Sequence, residues 1–102
     1  MPRTRLELHE QLCDILGSRN VYFQPPSSIK MKYPAIRYSR YNIENMNANN
    51  SVYIQPIYYQ ITVIDFNRDS EIVSKLSMLP NCRYDRHFTS DDLNHDVFIL
   101  HI

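Results

Sequence analysis

Two groups of carboxylates are the first candidates for chemistry: Asp65, Asp69 and Glu71, and further on Asp91, Asp92 and Asp96. Carboxylates so grouped can hold a divalent cation for phosphoryl hydrolysis. Both groups border turns, however, where Asp accepts backbone N–H bonds and caps helices, and that plainer role accounts for them. His9 and Cys13 lie one helical turn apart, a spacing that two metal ligands use. A closed zinc site needs four ligands at recognisable spacing, and His87, His95 and His101 are scattered, so no metal is expected. Cys82 with His87 or His95 would make a nucleophile and base. Neither a strained nucleophile turn nor an oxyanion donor accompanies that pair, and no catalysis is expected. The single glycine, Gly17, excludes both the GxGxxG fingerprint and the P-loop. No cofactor is expected.

Composition narrows the rest. The chain has 102 residues, enough for one domain with one modest core. Eleven basic and eleven acidic residues cancel, which argues against broad electrostatic binding to nucleic acid. Near-neutral charge also protects poorly against self-association, which suits a chain that assembles. Cys13 and Cys82 are too few for a disulfide framework, MPRTRLELHEQ lacks the apolar run of a signal peptide, and no stretch reaches the length of a membrane span. The expectation is a cytosolic protein with two buried, reduced thiols and no membrane partner. Eight tyrosines accompany no tryptophan. At strand spacing, tyrosines are half-buried sheet residues that recur at protein interfaces.

The elements that must position these groups follow from periodicity. Thr4 to Glu7 has capping-box form, Leu8, Leu12, Ile15 and Leu16 make a helical stripe, and Gly17 stands where a C-cap belongs, so residues 4–16 form a first helix. Val21–Phe23 reads as a short strand before Pro25-Pro26. Ile29, Met31 and Tyr33 alternate with Lys30 and Lys32, the pattern of a protected edge strand. Residues 35–43 alternate with Ile36 and Tyr38 on one face and Arg37, Ser39 and Tyr41 on the other. The polar stretch 44–52, with four Asn in nine positions, is the tip of a long hairpin. The chain is organised around residues 53–80: a half-buried strand with Ile57, Tyr59, Ile61 and Val63 facing one way and Tyr58, Gln60, Thr62 and Ile64 the other, a turn, then a helix capped by Asp69, striped by Ile72, Val73, Leu76 and Leu79 and ended by Pro80. Residues 82–88 alternate again with Arg83 and Arg86 outward, residues 89–94 form a polar turn or one helical turn, and 96–102 make a strand apolar on both faces, hence either central in the sheet or paired at an interface. The sum is an α+β layer: a mainly antiparallel, mixed sheet of four to five strands with two helices on it, in the order α-β-β-β-α-β-β, with the long hairpin around residues 35–64.

This layout, carried by Tyr33-Pro34-Ala35-Ile36-Arg37-Tyr38 and by Tyr58-Tyr59-Gln60-Ile61-Thr62-Val63-Ile64-Asp65 before a helix opening at Asp69-Ser70, resembles the small tail-terminator, or tail-completion, proteins of long-tailed bacteriophages. The resemblance covers nearly the whole chain as a single domain. It implies a mixed sheet with helices on one face and assembly into a ring, a hexamer in the virion, that stops tail-tube polymerisation and meets the head connector. It implies as partners the chain itself, a tail-tube protein and a head-completion protein, with DNA only as passing cargo. The place of work would be the tail or neck of the virion, after assembly in the host cytoplasm; the free chain would be either a ring or a monomer. Subunit or partner contacts are expected from Lys30, Lys32, Tyr33 and Tyr41, and from Met46, Asn47, Asn49, Asn50 and Tyr53 at the hairpin tip. The alternatives are another phage neck or head-completion protein or, from a different class, a small nucleic-acid-binding or regulatory module or a minor hydrolase using the Asp clusters.

Overall fold

The computed structural model describes residues 4–26, 30–41, 57–67 and 69–102. Seven elements follow in the expected order: α1 (Arg5–Leu16), β1 (Val21–Phe23), β2 (Ala35–Tyr41), β3 (Tyr58–Asp65), α2 (Glu71–Ser77), β4 (Cys82–Ser90) and β5 (Leu93–His101). They form a five-stranded mixed sheet in the order β1-β2-β3-β5-β4. β1 runs parallel to β2, and every other pair is antiparallel.

Local chemistry sets the boundaries. Thr4 caps α1, its hydroxyl oxygen accepting the Glu7 N–H at 3.2 Å. The Thr4 hydroxyl in turn donates to the Glu7 carboxylate at 3.3 Å, so that carboxylate closes on the cap side chain. At the other end Gly17 adopts φ 80°, and its N–H donates to the Cys13 carbonyl at 2.8 Å, the left-handed cap that glycine makes without strain. Between β3 and α2, Asp65 accepts the Asn67 N–H at 3.1 Å and Asn67 accepts the Asp69 N–H at 3.0 Å. These two successive side-chain turns deliver the chain to Ser70, whose hydroxyl caps α2 on the Ile72 N–H. Ser70, not Asp69, is therefore the cap, and the helix closes at Ser77, before Pro80.

Three other expectations are corrected. Residues 30–34 make no strand; the run ends at the cis Tyr33–Pro34 peptide, and the Lys32 N–H donates to the Tyr22 hydroxyl instead of a ladder. Residues 89–94 contain no helical turn. Asp91 and Asp92, at φ 53° and 63°, make a tight two-residue hairpin turn whose positive φ values match the twist of the flanking strands. β5 consequently starts three residues earlier than its apolar run, at Leu93. The hairpin tip at residues 42–56 lies outside the described residues.

Both helices pack on one side of the sheet. Leu8, Leu12 and Cys13 of α1 and Ile72 and Leu76 of α2 meet Ile36, Tyr38, Tyr59, Ile61, Val63, Phe98 and Leu100 in one buried cluster. β5, apolar on both faces, lies between β3 and β4, in keeping with its composition.

The Gly17 cap gives a direct check of this geometry. A Cβ added there meets no atom within 4 Å, so the cost of Gly17→Ala is purely that of holding alanine at positive φ. The variant should lose about 1–2 kcal/mol in urea unfolding with an unchanged m-value. A neutral substitution would show that α1 does not end in this way.

Candidate interaction face

The strand register lays the opposite, helix-free side of the sheet out as a grid. One row crosses all five strands: Tyr22, Arg37, Thr62, Val97 and Arg86 are successive partners. On one side of it runs the row Ser39, Gln60, Ile99 and Arg83; on the other, Ala35, Ile64, His95 and Phe88. No described helix lies on this side. Even so, the floor positions Thr62 and Val97 are only 7% and 1% exposed, because longer side chains of the surrounding rows stand around them. Between these walls is a hollow of ≈ 170 Å³, with Arg37 and Arg86 at its two ends and Ser39, Gln60, Thr62 and His95 supplying polar groups.

The two arginines of β4 reach this face by a device that alternation cannot supply. Residues 83 and 86 differ by an odd number, so in a regular strand they would point to opposite sides. The register shifts between Tyr84 and Arg86, leaving Asp85 as the extra residue of a β-bulge. Arg83 opposite Ile99 and Arg86 opposite Val97 thereby share one face. The expectation that both arginines point outward is met, but through the bulge. Asp85 stays close and binds Arg86 at 2.7 Å. Arg37 and Arg83 pair with no carboxylate among the described residues. Three guanidinium groups against one carboxylate leave the face cationic. Beside the hollow, Phe88 stacks on His95 with ring centroids 4.6 Å apart and planes 16° from parallel, and Phe88 is 41% exposed.

The residues singled out from the sequence are dispersed. Tyr41 ends β2 on the uncovered face, whereas Lys30, Lys32 and Tyr33 precede the other end of that strand, where Tyr33 packs edge-on against Phe66. Met46, Asn47, Asn49, Asn50 and Tyr53 lie outside the described residues. The carboxylate of Asp65 accepts within its turn and that of Asp96 accepts the Tyr84 hydroxyl at 2.9 Å, while Asp91 and Asp92 shape the hairpin tip through their backbone. Among the described residues, no group of three His, Cys, Asp or Glu side chains is placed to hold a metal. Cys82 and the histidines do not meet. Cys82 faces the helix side opposite Leu100, and burial pushes its thiol up to about 11, away from a reactive thiolate. His95 lies on the other face, and His87 is bonded to Asn94 at 3.3 Å. Thr62, Val97 and Gln60 were not singled out, because their importance lies in cross-strand partners far away in sequence.

His9 belongs to a different constellation on the helix side. Its Nδ1 lies 2.7 Å from the hydroxyl of Tyr38, which is itself buried, and Arg5 donates to the same oxygen at 3.3 Å while its guanidinium sits 4.3 Å over Phe23. With Arg5 donating to the oxygen, the phenolic proton is free for the neutral His9 ring. Burial, reinforced by Arg19 and Arg5 against the weaker pull of Glu10, holds His9 below its ordinary value. Comparison with protein-family models, with curated proteins and with solved structures gives no match for this chain.

The lowered His9 value has a signed consequence. The unfolded chain binds this proton more readily than the folded one. The contribution to stability is therefore complete above about pH 6.5 and is lost as pH falls through the lower folded value. His9→Gln should flatten the fall in Tm on acidification in that range; an equally steep fall in the variant would remove His9 as the cause.

Proposed function

We propose that this chain is a structural assembly protein of a long-tailed bacteriophage, which closes as a ring on the tail tube and joins the tail to the head connector. The observation that carries the reading is the sheet face bearing the Arg37–Arg86 row, which among the described residues has no helix on it while α1 and α2 both pack on the other side. An antiparallel sheet can leave such a face to water, and a face of this kind is equally available to a subunit surface. The α-β-β-β-α-β-β order on a mixed sheet with helices on one face also agrees with what the family resemblance implies. In this role the chain performs no catalysis. Its partners are other copies of itself, the tail-tube protein and a head-completion protein, and DNA passes through the ring as cargo.

Light scattering across protein concentration tests the reading, repeated with isolated tail tubes. Ring-sized mass, alone or on the tubes, is the expected outcome. Removing residues 44–55 should abolish assembly and leave the circular dichroism of the monomer unchanged. A chain that stays monomeric and ignores tubes would end this reading.

One observation favours a second reading. Arginines beside an exposed, stacked Phe88–His95 pair on an open sheet are also the groups with which single-stranded nucleic acid is held. A fluorescent oligonucleotide whose anisotropy rises on the monomer, falls steeply with salt and is unaffected by tail tubes would favour it.

A further inference from the structure

The chain is neutral overall, yet its charge is sorted between two surfaces. Among the described residues, the uncovered sheet face carries Arg37, Arg83 and Arg86 against one carboxylate, Asp85. The outward side of α1 carries the reverse. At 100° per residue, Leu6, Glu10, Asp14 and Glu7 fall in that order around one arc of about 100°, opposite the buried Leu8 and Leu12. Glu10 is bonded to Arg19 at 2.7 Å, both side chains largely in solvent, so this arc keeps an acidic excess. At one edge of the arc Leu6 is 66% exposed, a large apolar side chain facing solvent.

We infer that the uncovered sheet face of one copy receives the outer face of α1 from a second copy, with Glu7 and Asp14 meeting Arg37 and Arg86 and Leu6 lying over the Phe88 edge of the hollow. This rests on the assembly reading and specifies its interface. The dimensions agree. Arg37 and Arg86 stand three strand spacings apart, about 14 Å between backbones, and both line the hollow, their side chains long enough to span the difference. Glu7 and Asp14 are about 10 Å apart along a helix axis. The pairing gives the sheet a helix on its second face, which is the cover a two-faced layer needs. Because the two surfaces are different, the contact is head-to-tail: each copy offers one and receives the other, and such a contact repeats until it closes. Opposite charge on the two surfaces also disfavours sheet-to-sheet and helix-to-helix pairing.

A charge exchange tests this. One variant carries Arg37→Glu with Arg86→Glu, the other Glu7→Lys with Asp14→Lys, all at exposed positions. Far-ultraviolet circular dichroism and thermal unfolding confirm that each is folded, with Arg37→Gln and Arg86→Gln as a milder pair should the first lose structure. Sedimentation velocity then reads the mass of each variant alone and of an equimolar mixture. Each variant alone should need at least a roughly 100-fold higher concentration to associate than the unaltered chain, and the mixture should recover association, because each variant now complements the other. Variants that associate as the unaltered chain does would overturn this interface and leave the assembly reading standing. An unaltered chain that stays monomeric at all concentrations, both alone and with isolated tail tubes, would overturn both. So would loss of oligonucleotide binding on Arg37→Glu with Arg86→Glu in a protein that is monomeric throughout, which would give the face to nucleic acid.

Discussion

Helices of twelve and seven residues can cover one face of a five-stranded sheet and no more. The outer strands lie about 19 Å apart across the sheet, and the two helices span about 18 and 10 Å along their axes. Everything else follows from that shortage. The core is one-sided: Tyr38, Phe98 and the aliphatic residues of β2, β3 and β5 meet α1 and α2, and the reverse face keeps Val97, Ile99 and Ile64 beneath polar side chains instead of beneath a third layer. A monomer can tolerate this because arginine and tyrosine have long apolar stems that shield such a floor while their ends stay wet. The same stems make the face ready for a partner.

The bulge at Asp85 converts a generic edge strand into a specific one. It gathers Arg83 and Arg86 on the uncovered side, and it interrupts the ladder of a nine-residue edge that would otherwise invite unspecific strand pairing. Register then aligns Arg86 with Val97, Thr62 and Arg37 across the sheet. Charge of the opposite sign sits on the far side of the molecule, on α1. Zero net charge thus conceals opposite signs on the uncovered face and on the outer arc of α1, although Arg5, Arg19 and Lys75 also lie on the helix side.

Much of this architecture is legible in the residues. The α1 stripe with its Thr4 and Gly17 ends, the alternation of Ile36 and Tyr38 against Arg37 and Ser39, and the two-sided apolarity of β5 each reflect a local period, and local periods survive into the fold. What was not legible is of two kinds. The choice of Ser70 over Asp69 as cap, and the Asp91-Asp92 turn in place of a helical turn, depend on backbone angles that several polar residues can adopt. The Arg37-Thr62-Val97-Arg86 row depends on register among strands distant in sequence, and on one inserted residue that no alternation pattern displays. Lys30, Lys32 and Tyr33 share with Tyr41 a residue type suited to interfaces, but the sheet separates them from it by the length of β2.

The central claim is that the helix-free side of the sheet and the outer side of α1 are the two halves of one contact. Amide and methyl chemical shifts recorded from dilute to concentrated protein test it residue by residue. The account predicts concentration-dependent shifts at Thr62, Val97 and Ile99 and at Leu6, Glu7 and Asp14 together, with Ile61, Phe98 and Leu76 in the core unmoved. Shifts confined to other surfaces, or to only one of these two, would contradict it.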